Sequence, residues 1–358
     1  MKAVVLVGGE GTRLRPLTLS IPKQMLPIVG VPMIERVLTY LRSYGVDEAI
    51  LSLGYLPDAF REAYPDSRAA GVSLAYAVEP EPLDTAGAVR FAAVYGKVDD
   101  TFVVVNGDVL TDLDLGSLVD FHRTSGAEGT IALHPVADPS SFGVVPTDGD
   151  GRVTAFVEKP ARDEAPTNQI NAGTYVLEPS VLDRIPATGR VSIERETFPA
   201  MARSGVLFAR SDDGYWLDTG TPAAYLQANR DLVSGQRVGE LAPGLRDLGD
   251  DIYVEGSGEI TGKVVGPSVI FRDCEIAESA RVERSVLGAG SVIEARAVVV
   301  DSVLMDGSHV AADAKVAGSI LGPRATVGQR GDVRPISVLG AHSIVASGMV
   351  VDGERVAG

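Results

Sequence analysis

The chain has 358 residues, enough for more than one core, and its 45% hydrophobic and 22% charged residues are those of an ordinary soluble protein. A formal net charge of −16 excludes general nucleic-acid binding, because phosphate backbones need clustered Lys and Arg. Cys274 is the only cysteine, so no intrachain disulfide can form, and a reducing, cytoplasmic location is expected.

The first apolar run, Ala3–Val7, is too short for a signal peptide or a membrane span and is predicted as a buried strand, with no membrane partner expected. Further strands are predicted at Glu48–Leu53, Leu74–Val78, Phe102–Asn106, Gly129–Pro135 and Ile170–Leu177. Amphipathic helical segments lie between them at Met33–Tyr44, Leu56–Tyr64 and Ala86–Ala93. Strand–helix alternation implies an α/β fold with a Rossmann-like, mostly parallel sheet covered on both faces. Such sheets bind ligands in the crevice beyond the carboxyl ends of their strands, where Gly8-Gly9 and Asn106-Gly107-Asp108 fall.

Residues 1–232 are therefore expected to form the chemical domain, and 233–258, rich in Gly, Pro and Asp, a connection. From 259 to 358 the pattern changes. Aliphatic residues recur every six positions: Val264, Ile270, Ile276, Val282. After a slip in phase they continue at Val292, Val298, Leu304, Val310 and Val316, after a further slip at Leu321, Val327, Val333 and Leu339, and then at Ile344 and Val350. One inward aliphatic per flat strand, with Gly, Ala, Ser and Asp between, marks a hexapeptide-repeat parallel β-helix. It resembles the left-handed β-helix family, and the handedness comes from that resemblance.

Four motifs carry chemistry. The first is Gly8-Gly9-Glu10-Gly11-Thr12-Arg13 with Pro22-Lys23-Gln24-Met25-Leu26-Pro27. A glycine turn after a buried strand lets backbone N–H groups approach phosphate oxygens. No Gly-Lys-Ser/Thr follows, so it is not a Walker loop, and Leu14 replaces the third glycine of a dinucleotide fingerprint. Lysine occurs only at Lys2, Lys23, Lys97, Lys159, Lys263 and Lys315, so a lysine inside a motif stands out. The second motif sets Asp108 after the strand Phe102–Asn106, with a possible partner carboxylate in Trp216-Leu217-Asp218-Thr219-Gly220. Mg²⁺ commonly takes one or two protein carboxylates and fills its shell with phosphate and water. The third joins Gly143, Glu158-Lys159 and Asn171-Ala172-Gly173, a carboxylate, an ammonium and an amide suited to a phosphorylated sugar. The fourth is Glu79-Pro80-Glu81-Pro82-Leu83-Asp84-Thr85-Ala86-Gly87-Ala88. Guanine presents two adjacent donors that one carboxylate, such as Glu79, can accept together.

These motifs resemble the signature of the sugar-phosphate nucleotidyltransferase family, and with the appended β-helix almost the whole chain resembles its longer, mannose-1-phosphate guanylyltransferase type. The resemblance implies a nucleotide site at Leu6, Gly8, Gly9, Gly11, Thr12, Arg13, Lys23, Glu79, Asp84 and Gly87. It implies a sugar-phosphate site at Gly143, Glu158, Lys159, Asn171 and Gly173, catalytic roles for Arg13, Lys23, Asp108 and Asp218, and Mg²⁺ on Asp108 and Asp218. Thr85-Ala86-Gly87-Ala88 resembles the relatives that use GTP, with mannose 1-phosphate as the implied second substrate. Thymidylyl, uridylyl or adenylyl transfer, or another sugar phosphate, is the alternative. Asp84 stands where most relatives carry Gly; either it helps to read guanine or the loop has another shape. A homo-oligomer formed through the β-helix is expected. His309 and His342 are the only residues that could serve an added acyltransferase activity, and no histidine is assigned to catalysis.

Overall fold

The computed structural model describes residues 1–237, 239 and 241–358; positions 238 and 240 of the expected connection lie outside that description. Two compact units emerge, one of residues 1–9 and 34–216, the other of residues 10–33 and 217–358.

In the first unit, strands Val72–Val78, Glu48–Leu53, Lys2–Leu6 and Phe102–Asn106 lie side by side in that order, all parallel. Ala3, Val4, Val5, Val103 and Val104 are buried without alternation, as strands covered on both faces must be. Gln169–Leu177 adds antiparallel to Phe102–Asn106 and pairs with Gly129–Pro135, whose other neighbour is Leu207–Ser211. The sheet is thus parallel at its centre and mixed at one side. Lys2–Leu6 has Glu48–Leu53 on one flank and Phe102–Asn106 on the other, so connections depart in both directions and a crevice opens at its carboxyl end. Helices Met33–Ser43, Pro57–Ala63 and Asp84–Tyr95 match the amphipathic segments. Leu115–Ser125 starts at Asp114, which accepts from Ser117 N at 3.0 Å, and stops at Gly126 with φ 61°.

In the second unit, the C-terminal strands stack into three parallel sheets, the sides of a left-handed β-helix. The register fixes the coil length. Val282 lies over Val299, Val316 and Val333, steps of 17 residues, while the later steps Val333 to Val351 and Leu321 to Leu339 are of 18 before Leu339 to Val356 returns to 17. Three hexapeptides would need 18, so most coils drop one residue at the same corner, between Val282 and Leu287 and again between Val299 and Leu304. A serine sits in that corner each time. Ser285 N donates to Ser268 Oγ at 3.1 Å and Ser302 N to Ser285 Oγ at 3.1 Å, so buried hydroxyls satisfy backbone groups at this corner.

This corner corrects the sequence phase. Ile293, Val299, Val345 and Val351 face inward, while Val292 and Val298 are only half-buried and Ile344 and Val350 are exposed. The expected series runs one residue early at Val292, Val298, Ile344 and Val350, inside pairs of adjacent aliphatics where hydropathy cannot tell the inward residue from its neighbour. Corners also need left-handed backbone, supplied in one column by Asp273, Gly290, Gly307, Arg324 and His342. Cys274 is buried, donates to Gly288 O at 3.2 Å, and burial pushes its thiol up to about 11.

Residues 10–33 belong to this second unit. They form three short 3₁₀ turns, Thr12–Leu14, Leu17–Leu19 and Lys23–Met25, then a small hairpin of Pro27–Ile28 and Val31–Pro32. Helix Pro222–Val233, capped by Thr221, holds the hairpin: Val29 N donates to Asn229 Oδ1 at 2.8 Å and the Tyr225 hydroxyl donates to Pro27 O.

Candidate functional site

The candidate residues fall into four groups, each positioned by a local device. At the carboxyl end of Lys2–Leu6, Leu6 O accepts from Gly107 N at 2.9 Å, tying the first glycine turn to the Asn106-Gly107-Asp108 corner. Asp108 is half-buried there. Gly8 runs close to Gly54: a Cβ at Gly54 would lie 3.1 Å from Gly8 O, and one at Gly8 would lie 3.3 Å from Glu79 Oε1. Gly9 faces open space and is exposed.

Glu79 follows strand Val72–Val78, and both of its carboxylate oxygens already accept protein donors. Ser52 Oγ donates to Oε1 at 3.0 Å, and Leu83 N donates to Oε2 at 3.2 Å. Each oxygen keeps a further lone pair, but the carboxylate's first task is to fold the loop 79–83. Asp84 has φ 60°, the left-handed region where glycine is at ease. Its Oδ1 accepts from Thr85 N at 2.9 Å, and its side chain is exposed. An Asp replaces Gly here because Asp is among the few side chains tolerated in that backbone. Gly87 is buried and faces protein: a Cβ would lie 2.9 Å from Leu83 Cβ and 3.4 Å from Gly189 O. It lets the start of helix Asp84–Tyr95 approach residues 189–191, where Val191 O accepts from Ala86 N and Gly87 N.

The sugar-phosphate candidates gather at one edge of the same unit. Gly143 pairs directly opposite Glu158, and a Cβ there would lie 2.7 Å from the Phe156 ring and 3.0 Å from Glu158 Oε2. Lys159 Nζ stands 3.4 Å from Glu158 Oε1, on an exposed side chain. Asn171 opens a bulge in Gln169–Leu177. Its Oδ1 accepts from Gly173 N at 3.0 Å and its Nδ2 donates to the Tyr175 hydroxyl at 2.9 Å. Burial, with the Glu194 carboxylate nearby, pushes the Tyr175 phenol far up, so it stays protonated. Gly173, at φ 72°, lies against Asn106, and a Cβ would sit 2.9 Å from the Asn106 amide carbon.

In the second unit, Arg13 and Asp218 come together at 3.8 Å. Asp218 Oδ1 accepts from Gly220 N at 2.8 Å, and a Cβ on Gly220 would lie 2.5 Å from the Arg13 guanidinium. Gly11, at φ 62°, sits under Lys23 and Thr18: its O accepts from Thr18 Oγ1 at 2.9 Å, and a Cβ would lie 3.1 Å from Lys23 Cβ. Lys23 is buried, and Thr12 is exposed at the start of its turn. Arg15 pairs with Glu10 at 2.6 Å, leaving Arg13 as the arginine of the motif next to a candidate metal ligand.

Sequence reasoning missed three features. Trp216 donates from Nε1 to Ala172 O at 2.8 Å, stacks on His134 with centroids 5.6 Å apart and meets Phe142 edge-on, so it braces the Asn171–Gly173 bulge. It is the only Trp, which was the available signal. Thr85 Oγ1 donates to Glu194 Oε2 at 2.7 Å, which fixes the π-helical turn Ile193–Thr197 beside the base loop. No spacing links residues 109 apart. Gly220, inside the Trp216–Gly220 motif, is the third: only a residue without a Cβ leaves room there for the Arg13 guanidinium. His309, the acyltransferase candidate, is paired with Glu294 at 2.7 Å on the β-helix. Among the described residues, no helix is long and apolar enough to cross a membrane.

Residues 2–235 match the family model described as nucleotidyl transferase, and residues 250–358 match the one described as GMPPB C-terminal domain. The mannose-1-phosphate guanylyltransferase of Mycobacterium tuberculosis is 42% identical over 301 residues, covering 83% of this chain and 82% of that protein. A UTP–glucose-1-phosphate uridylyltransferase of Synechocystis is 35% identical, covering 84% and 86%. Among solved structures, HddC from Yersinia pseudotuberculosis complexed with GMP-PN superposes with TM-score 0.56 at 31% identity, over 64% of this chain and 98% of that one.

Proposed function

We propose that this chain, which belongs to the nucleotidyl transferase family, transfers a guanylyl group from GTP to mannose 1-phosphate and releases pyrophosphate. The observation that carries the reading is the pairing of Arg13 with Asp218 over Gly220, with Lys23 packed on Gly11 of the same signature. Cations gathered beside a carboxylate suit a polyanion and its metal, and in an acidic chain they are a local exception. Support for guanine over uracil comes from the 42% identical guanylyltransferase, from Thr85-Ala86-Gly87-Ala88, and from the carboxylate of Glu79.

In this reading a phosphate oxygen of mannose 1-phosphate attacks the α-phosphorus. The bond from that phosphorus to the oxygen bridging to the β-phosphorus breaks, and pyrophosphate leaves with the electron pair. The nucleophile is already an anion, so no general base and no covalent enzyme intermediate is needed. Arg13 and Lys23 offset the triphosphate charge, with Leu6, Gly8, Gly9, Gly11, Thr12, Asp84 and Gly87 shaping the nucleotide's surroundings. Lys159 offsets the sugar phosphate, and Glu158, Asn171, Gly143 and Gly173 hold and orient hydroxyls. Asp108 and Asp218 offer hard carboxylate oxygens, the donor type that suits Mg²⁺. When bound, Mg²⁺ would neutralise phosphate charge.

The division at 232 and 258, a cytoplasmic location and a homo-oligomer belong to the same proposal. Exposed Ile336, Ile344, Met349 and Val350 on the β-helix support the last. The test is turnover with Mg²⁺ across nucleoside triphosphates paired with mannose 1-phosphate or glucose 1-phosphate. Pyrophosphate is expected fastest from GTP with mannose 1-phosphate. Preference for UTP with glucose 1-phosphate would overturn the choice of substrates, and no release from any pair would overturn the reaction.

A further inference from the structure

The column of residues that follows five successive strands of one β-helix side reads Phe271, Gly288, Met305, Gly322, Gly340, at intervals of 17, 17, 17 and 18. Three of these five meet the segment 10–33. The Phe271 ring covers Gly30, which has φ 74° and no room for a Cβ. A Cβ at Gly322 would lie 2.9 Å from Leu17 Cδ2, and one at Gly340 would lie 3.0 Å from Pro16 Cγ and 3.2 Å from Pro16 Cβ. Leu17 is fully buried and Pro16 is also buried, so these contacts are packing and not chance approach. Pro16 and Leu17 follow Arg13 by three and four residues and precede Lys23 by seven and six.

We infer that this column of the β-helix positions the Arg13–Lys23 segment, with Gly340 and Gly322 as positioning residues for nucleotidyl transfer. The inference rests on the guanylyl-transfer reading above, which gives those two cations their work. A large residue at one end of the column fills the space over Gly30, and absent side chains at the other end admit Pro16 and Leu17. The loop is thus seated by the shape of a second element, not by its own hydrogen bonds alone. Its 3₁₀ turns are short and hold little rigidity by themselves. Displacing charged groups by about 1 Å from their productive positions can cost roughly a hundredfold in rate.

Gly340 is the cleaner position to test, because the nearest atoms to its added Cβ belong to Pro16, whereas Gly322 would also meet backbone of the next coil. The experiment compares steady-state kinetics and thermal unfolding of the full chain carrying Gly340→Ala, Gly340→Val and a control, Gly348→Asn. Gly348 has φ 73°, which Asn tolerates, and faces open space. The expected result is a graded fall in kcat, about fivefold for Ala and at least twentyfold for Val, with the unfolding midpoint within about 2 °C of wild type and the control unchanged. In a Pro16→Ala background, Gly340→Ala should lower kcat by less than it does in the wild-type chain. Gly340 variants with wild-type kcat, or kcat losses matched by equal losses in folded protein, would overturn the inference. If the unaltered chain releases no pyrophosphate from any substrate pair, it is the reaction itself that fails, and the inference falls with it.

Discussion

The central sheet of the first unit and the β-helix of the second both stack parallel strands, yet they choose their buried residues by different rules. In the sheet, Ala3, Val4 and Val5 are all buried because helices cover both faces. On two sides of the β-helix one face of the strands meets solvent, so Val282 is buried while its neighbour Arg281 is exposed; on the third side Val286, Val303, Ile320 and Val338 are buried as well. Hydropathy alone locates the first kind of strand. The second kind needs phase as well, and phase shifts at corners where the step shortens to five residues, as from Val282 to Leu287 and from Val299 to Leu304.

The sharpest contrast is between chemistry and packing. Lys23→Ala should lower turnover by about a hundred- to a thousandfold, as loss of an electrostatic stabiliser does, while circular dichroism stays native. Retained turnover would detach Lys23 from the reaction. Within the β-helix, Leu304→Ala should cost about 2–5 kcal/mol in urea unfolding, because Leu304 is 1% exposed in a close-packed coil. Ile344→Ala should cost about 0.5 kcal/mol or less, since Ile344 is 72% exposed. Equal costs would restore the discarded phase. In the first unit, Gly173→Ala places a Cβ in left-handed backbone against Asn106 and should cost about 1–3 kcal/mol, read as a lower melting point.

The smallest effect concerns charge. Glu128 accepts from Arg184 Nε at 2.7 Å and from its Nη2 at 2.8 Å, and that fork holds the carboxyl below its ordinary range. A depressed folded value means the contribution is present above the unfolded pKa of about 4.3 and fades as pH falls through the lower folded value. Arg184→Met should therefore lose at most about 1 kcal/mol at pH 7, and the difference from wild type should vanish in strong acid. A difference that persists at pH 2 would assign the loss to packing.

Much of this was legible in the residues. Strands Glu48–Leu53, Phe102–Asn106 and Gly129–Pro135 have the bounds that their apolar runs predict. The motifs assign Arg13 to the triphosphate and Asp218 to the metal, and the 3.8 Å contact between these two residues, 205 positions apart, is one that no motif predicts. What stayed hidden was local engagement. Glu79 reads as a base-recognising carboxylate, but nothing in sequence says that Ser52 and Leu83 already donate to it. Gly87 reads as part of the nucleotide site, and nothing in sequence says that its missing Cβ also serves the approach of residues 189–191. Asp84 looked like an anomaly because residue type was visible and φ was not.

The shortened corner of the β-helix bears on how such a coil can change over generations. Each rung closes on itself before the next begins, so a residue lost or gained at a vertex alters one bend and leaves every other rung in step. The jump from 17 to 18 residues between Val333 and Val351 is such an event, absorbed without breaking the stack. A deletion within a flat side would instead invert the facing of that strand, so tolerated length variation should concentrate at the vertices.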